Sequence, residues 1–241
     1  MPPKRRRKNQ PSWLVPLSVA AVAVVLVTLV ITLSQGETDA SSSESPQASG
    51  QDSSSERSGL RAVERRDDAD PLADGPVDAP VALIVFSDYQ CPYCAQWSNE
   101  TLPLMKEHVT TGDLRIEWRD INVFGEPSTR AARAVYAAAL QGAFWAYHEQ
   151  LFTDGDTRSE AGLEEQALID LAADLGLDVD RFATDFASDT TIREVDRNAR
   201  IGLELGVNST PAFILDGKPI MGAQPSNVFT DALDTALASR K

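Results

Sequence analysis

Cys91 and Cys94 are the only cysteines in this 241-residue chain, and they stand three apart in Cys91-Pro92-Tyr93-Cys94. Two thiols at that spacing can pass between dithiol and disulfide, or offer soft ligands to a metal. The apolar run Val81-Ala82-Leu83-Ile84-Val85-Phe86 precedes the pair and a helical pattern follows it, so a strand delivers Cys91 to a helix start. Pro92 suits the first helical position, where no N–H is needed and a fixed φ helps. Cys91 is then the N-cap. Its sulfur can accept hydrogen bonds from the free N–H groups of Tyr93 and Cys94 and feels the positive end of the helix dipole, and both favour thiolate. A free thiol with a pKa of about 8.5 is only slightly ionised at neutral pH, whereas helix N-termini in such motifs lower it to roughly 3.5–7. Cys94, one turn along, is expected to be more buried and to act as the resolving partner.

The rest of the chain says where this pair works. The net charge of -14 argues against a nucleic-acid partner. The basic residues Lys4, Arg5, Arg6, Arg7 and Lys8 fall in a tip, residues 1–12, before an uncharged apolar run from Trp13 to Leu33. About 20 residues at about 1.5 Å each cross a hydrocarbon core of about 30 Å. The positive-inside rule then leaves the tip in the cytoplasm and everything after Leu33 outside. A cleaved signal peptide is the competing reading, but its apolar stretch is usually about 7–15 residues and ends at an A-x-A-like site. Here the run is longer and exits through Ser34-Gln35-Gly36, so a retained, single-pass anchor is expected.

Residues 34–79 are rich in Ser, Glu, Asp, Gln and Pro and poor in core-forming residues, which predicts a disordered tether. Its r.m.s. reach would be roughly 35–40 Å. Arg57, Arg61, Arg65 and Arg66 are expected to be solvated charges of that linker rather than lipid contacts.

The folded part is expected over 80–241. Val81 to Phe86 reads as a buried strand, and the helix after Cys91 should kink at Pro103. Leu114 to Trp118 alternates, with Leu114, Ile116 and Trp118 on one face and Arg115 and Glu117 on the other. Helical patterns then fill about 126–205. Ala212 to Leu215 and Lys218 to Met221 read as a hairpin turning at Asp216-Gly217, and a last helix runs from Ser226, as N-cap, to Ala238. Strand, helix, strand, helical block, hairpin and helix make an α/β domain with a helical insertion. The aromatic set Phe144, Trp145, Tyr147 and Phe152 reads as core of that insertion.

Phe86-Ser87-Asp88-Tyr89-Gln90-Cys91-Pro92-Tyr93-Cys94, Phe144-Trp145-Ala146-Tyr147-His148-Glu149-Gln150-Leu151-Phe152 and Gly206-Val207-Asn208-Ser209-Thr210-Pro211-Ala212-Phe213 occur in that order. Together they resemble the DsbA-like branch of the thioredoxin superfamily, from about residue 78 to the C-terminus. The resemblance implies a thioredoxin fold with an inserted α-helical domain and thiol–disulfide exchange on reduced or unfolded extracytoplasmic proteins. It implies that Cys91 is the exposed attacking cysteine, that Cys94 is buried, and that Thr210 and a cis Pro211 form the loop that receives a substrate backbone. It further implies a membrane reoxidase, DsbB-like or VKOR-like, a bacterial cell-membrane location, a monomer, and no cofactor or metal beyond the redox-active Cys91–Cys94 pair.

Two departures bear on redox poise. Members often carry a buried acid six residues before the first cysteine; here that position is Val85, so Glu117 or water would have to replace it. The dipeptide Pro92-Tyr93 also differs from the Pro-His of the strongest oxidants and is shared with glutaredoxins. Potentials of about −120 mV for DsbA and about −200 to −230 mV for glutaredoxins differ by about 4 kcal/mol, and the expected poise falls in that window. Among alternatives, a reductase fits the same residues, whereas isomerases usually add a dimerisation domain that 34–79 is too polar to form. Zinc would need His108 and His148 to complete four ligands, and Cu(I) lacks an obvious Met or His partner. A structural disulfide would close too small a loop to stabilise much.

Overall fold

A computed structural model describes residues 59–240. The expected membrane anchor and the first part of the tether lie outside these residues. Among the described residues, no helix is long and apolar enough to cross a membrane.

Five strands form one mixed sheet in the order β1-β3-β2-β4-β5: β1 Ala73–Asp74, β2 Val81–Ser87, β3 Leu114–Asp120, β4 Ala212–Leu215 and β5 Lys218–Met221. β2 is central and all seven of its residues are buried, as its uninterrupted apolar run requires. It pairs parallel with β3, from Val81↔Leu114 to Ser87↔Asp120, and antiparallel with β4. The β4–β5 hairpin turns at Asp216 and Gly217, both with positive φ, as a two-residue turn demands.

Helices α1 Pro92–Glu100 and α2 Leu102–Thr110 follow β2, breaking at Thr101, so Pro103 sits in the first turn of a new helix rather than at a kink. Between β3 and β4 lie α3 Glu126–Ala139, α4 Phe144–Leu151, α5 Glu165–Asp174, α6 Val179–Phe186 and α7 Asp189–Glu204. Ala131, Ala132, Ala134, Ala137, Ala138 and Ala139 are buried on α3, where small side chains let its neighbours approach closely. A Cβ on Gly202 of α7 would fall 2.4 Å from Ile121, so this contact with the end of β3 admits only glycine. The last helix, α8 Ser226–Ala238, starts one residue earlier than expected: Pro225 is the N-cap, and the Ser226 hydroxyl instead pairs with Thr101 at 2.9 Å.

Alternation puts Val81, Leu83, Val85, Leu114, Ile116, Trp118 and Phe213 on one sheet face, in a core shared with α1, α2, α8 and the insertion. Ile84, Phe86, Ala212 and Ile214 face the other way, where Leu60, Val63, Ile201 and Leu205 pack against them.

Leu60 and Val63 belong to the stretch expected to be tether. Residues 59–79 instead form a strap along β3. The Trp118 backbone N–H donates to the Leu72 carbonyl at 3.0 Å, and β1 pairs with β3. The Glu117 carboxylate accepts the backbone N–H groups of Arg65 and Arg66 at 2.9 and 2.8 Å. It also pairs with Arg115 at 3.1 Å and Arg119 at 2.9 Å, while Arg119 reaches Asp70 at 2.8 Å. Arg61 holds Asp216 at 2.5 Å, and Arg66 donates to the carbonyls of Val77 and Ala79. Arg61, Arg65 and Arg66 are fasteners rather than solvated linker charges, Arg57 lies outside the described residues, and the face of Arg115 and Glu117 is buried.

Candidate active site

The sulfurs sit where β2 ends and α1 begins. Cys91 is the N-cap, in extended conformation, with Pro92 opening the helix, and its carbonyl accepts the N–H of Cys94 at 3.0 Å. Both cysteines are free thiols. The expected cap bond from helix N–H groups to the Cys91 sulfur does not form in the thiol state. The neutral thiol instead donates to the Thr210 carbonyl at 3.2 Å.

Ionisation reverses the sulfur's role from donor to acceptor. The Cys91 pKa falls to about 6, chiefly because the Cys94 side chain hydrogen-bonds to the sulfur. Burial opposes this, and the Thr210 side chain and the N–H groups of Cys94 and Tyr93 add to the lowering. Cys94 goes the other way: burial first, then the Cys91 bond and charge, push its thiol well above the ordinary range. Only the Ser87 hydroxyl and the Asp88 N–H counter that rise. The expected asymmetry of the pair is present, but not as a contrast in exposure, since Cys91 is 2% and Cys94 1% exposed. Tyr93, at 64% exposed, marks the open side.

Thr210–Pro211 lies against the pair with a cis peptide bond, and the Pro211 carbonyl accepts the Gly222 N–H at 2.9 Å. Of the residues singled out in the sequence, the structure thus gathers Cys91, Cys94, Thr210 and Pro211, with Pro92 and Tyr93 at the rim. His148 does not join them as a ligand. It is buried on α4, its Nδ1 3.1 Å from the Tyr89 hydroxyl, and burial together with Lys106 lowers its pKa to about 3, so it stays neutral. Its ring stands edge-on to Trp118 at 4.5 Å, while Tyr89 stacks on Phe152 at 5.1 Å. The aromatic set therefore bridges the insertion to the sheet, with Tyr147 stacked inside the insertion on Phe182. Among the described residues, no group of three or more His, Cys, Asp or Glu side chains is arranged to hold a metal.

Several neighbours of the sulfurs carried no role in the sequence reading. Asp88 is wholly buried and fixes the loop before Cys91, accepting from Gln90 N–H at 2.8 Å, Ser128 Oγ at 2.6 Å and Phe124 N–H at 3.1 Å. Asp120, at the end of β3, accepts from Trp118 Nε1 at 3.0 Å. Burial drives its pKa up to about 8, helped by Asp88 and opposed by the Trp118 bond and Arg119. Glu117, the residue considered as a replacement acid for Val85, lies on the opposite sheet face inside the arginine cluster. It cannot reach the thiols from there.

A family model described as Thioredoxin matches residues 68–235. The chain belongs to the thioredoxin family. Its fold is shared with solved thiol–disulfide exchange proteins of the DsbA type. The α-DsbA2 thiol–disulfide exchange protein of Wolbachia pipientis superposes with a TM-score of 0.64 at 22% identity, covering 79% of this chain and 99% of that one. The probable disulfide bond formation protein D of Bacillus anthracis is 25% identical over 149 residues, 59% of this chain and 68% of that protein. The Na(+)/H(+) antiporter NhaA of Herminiimonas arsenicoxydans is 34% identical over 170 residues, 69% of this chain but 26% of the antiporter. The chain thus spans about a quarter of the length of that relative.

Proposed function

We propose that this protein donates disulfides to reduced extracytoplasmic proteins through Cys91 and Cys94. The observation that carries the reading is Cys91 at the helix N-cap against the cis Thr210–Pro211 loop with Cys94 buried one turn inside, a placement that lowers Cys91 to about 6 and raises Cys94. A stabilised Cys91 thiolate favours the reduced enzyme, and so makes the disulfide form an oxidant. A substrate thiolate bonds to the Cys91 sulfur, and the Cys91–Cys94 bond breaks with its electron pair passing to Cys94. A second substrate thiolate then attacks the substrate sulfur of the mixed disulfide, releasing Cys91 as a low-pKa leaving group. Thr210 and Pro211 receive the substrate backbone, Pro92 and Tyr93 tune the potential, and exposed Tyr93, Phe124 and Met221 offer apolar surface to unfolded chain.

A membrane reoxidase, DsbB-like or VKOR-like, restores the disulfide. The basic tip and the apolar run 13–33 support a single-pass bacterial membrane protein with the thiols outside the cytoplasm. The deciding measurement is the potential of the pair against glutathione. A value above about −200 mV is expected, and one below about −250 mV would replace the donor reading with a reductase.

A further inference from the structure

Every exchange at this site moves a proton at a buried atom. When the Cys91–Cys94 bond breaks, Cys94 receives an electron pair that its surroundings do not let it hold as a thiolate, and in the reverse direction its thiol must lose a proton before it can attack. The partner has to be a group that ionises inside the same core.

Strand register identifies it. Ser87 is paired with Asp120 across the parallel β2–β3 ladder, just as Val85 is paired with Trp118. Residues paired in this way point to one face, which is the face of Trp118 and Cys94, and neighbouring strands lie about 4.8 Å apart. Ser87 is the side chain that lowers the Cys94 thiol, and its hydroxyl is buried without a hydrogen-bond partner in the structure. Asp120 is itself buried, with a single side-chain donor, Trp118. We propose that Asp120 is the proton store of Cys94, reached through the Ser87 hydroxyl.

A hydroxyl can accept and donate in one movement, so a turn of either side chain or one interposed water joins the three groups. As the substrate sulfur bonds to Cys91, the disulfide's electron pair goes to Cys94 and the Asp120 carboxylic acid passes its proton to that sulfur, becoming carboxylate. In reverse, the carboxylate takes the Cys94 proton while the sulfur attacks Cys91 of a mixed disulfide and the substrate thiolate leaves. The charged groups acting on Asp120 are Asp88 from the loop before α1 and, from its own strand, Arg119, while Tyr89 of that loop feels the charges of both Asp120 and Cys94. His148 of α4 stands behind Tyr89 and Trp118 and stays neutral.

The test is stopped-flow reaction of the reduced protein with an aromatic disulfide such as DTNB. Attack by Cys91 releases one coloured thiol; attack by Cys94 on the mixed disulfide then releases a second. The first phase should follow the Cys91 inflection near pH 6 in wild type and in Asp120→Asn, showing that the variant is folded. The second phase should level off above about pH 8 in wild type. In Asp120→Asn it should be about 10²-fold slower at neutral pH and rise about tenfold per pH unit without levelling, and Asp120→Glu should restore most of the rate. A second phase in Asp120→Asn within about twofold of wild type, with the same pH profile, would overturn the proposal. If that variant also loses its first phase, Ser87→Ala decides: a second phase slowed about tenfold or more supports the relay, and an unchanged one refutes it. The assay reads the thiol pair alone, so its result is separate from the direction of exchange in the proposed function.

Discussion

Glu117 and Asp120 are two buried carboxyls on one strand, and they titrate in opposite directions. Burial pushes Glu117 up, but the Arg65 N–H, the Arg119 charge, the Arg66 N–H and the Arg115 side chain reverse it, so its pKa ends below the ordinary range. Asp120 has one donor, faces the Asp88 carboxylate, and rises to about 8. Depth is nearly the same for both, at 0% and 2% exposed. The number of donors offered to the charged form decides the sign. One sheet face therefore holds a permanent charge that fastens the strap, and the other holds an acid that can still change state.

The largest effect is expected from breaking the permanent charge. Glu117→Ala leaves Arg115 and Arg119 buried without their shared partner, and should cost about 3–5 kcal/mol in denaturant unfolding. A loss under about 1 kcal/mol would show that the cluster is solvated and the contrast overstated. The acid limb carries the same sign. Because Glu117 is depressed in the fold, its contribution is complete above its unfolded value of about 4.3 and is lost as pH falls through the lower folded value.

Asp120 runs the other way. Its folded pKa of about 8 exceeds an unfolded value of about 3.9, so the favourable contribution of proton retention is full below about 3.9 and is gone once pH has risen past about 8. Asp120→Asn should therefore stabilise the reduced protein at pH 8, by a few kcal/mol at most, and by little near pH 4. Equal gains at both pH values would mean that the effect comes from packing rather than ionisation. The smallest effect concerns the sulfurs: Cys94→Ala removes the main hydrogen bond lowering Cys91, whose pKa should climb from about 6 by about 1–2 units in pH-dependent alkylation. An unchanged value would assign the lowering to Thr210 and the helix N–H groups instead.

Local signals carried the thiol pair, its helix start, the strands and the Thr210-Pro211 loop into plain view, because each rests on adjacent residues or a short repeat. The strap was hidden by its own composition. Arg65, Arg66 and Asp70 read as linker because their partners, Glu117 and Arg119, lie some fifty residues away, and nothing in 59–79 shows that those partners are buried. Asp120 escaped for a related reason. The alternating pattern was read only to Trp118, and a residue just past it gains meaning only once the register with Ser87 is known. Cys91 was taken as exposed because the motif says nothing about how closely Thr210 covers it.

The strap also moves the boundary of the smallest piece that can be cut from this protein. A fragment beginning at residue 80 would keep every residue of the thiol site, yet it would leave the outer edge of β3 unpaired, with Arg115, Glu117 and Arg119 facing water. It would also uncover Phe86 and Ile214, which Leu60 and Val63 help to cover. Such an edge invites a second chain to add a strand. A fragment beginning at residue 59 keeps that edge closed, so the strap serves as a guard against aggregation as well as a fastening.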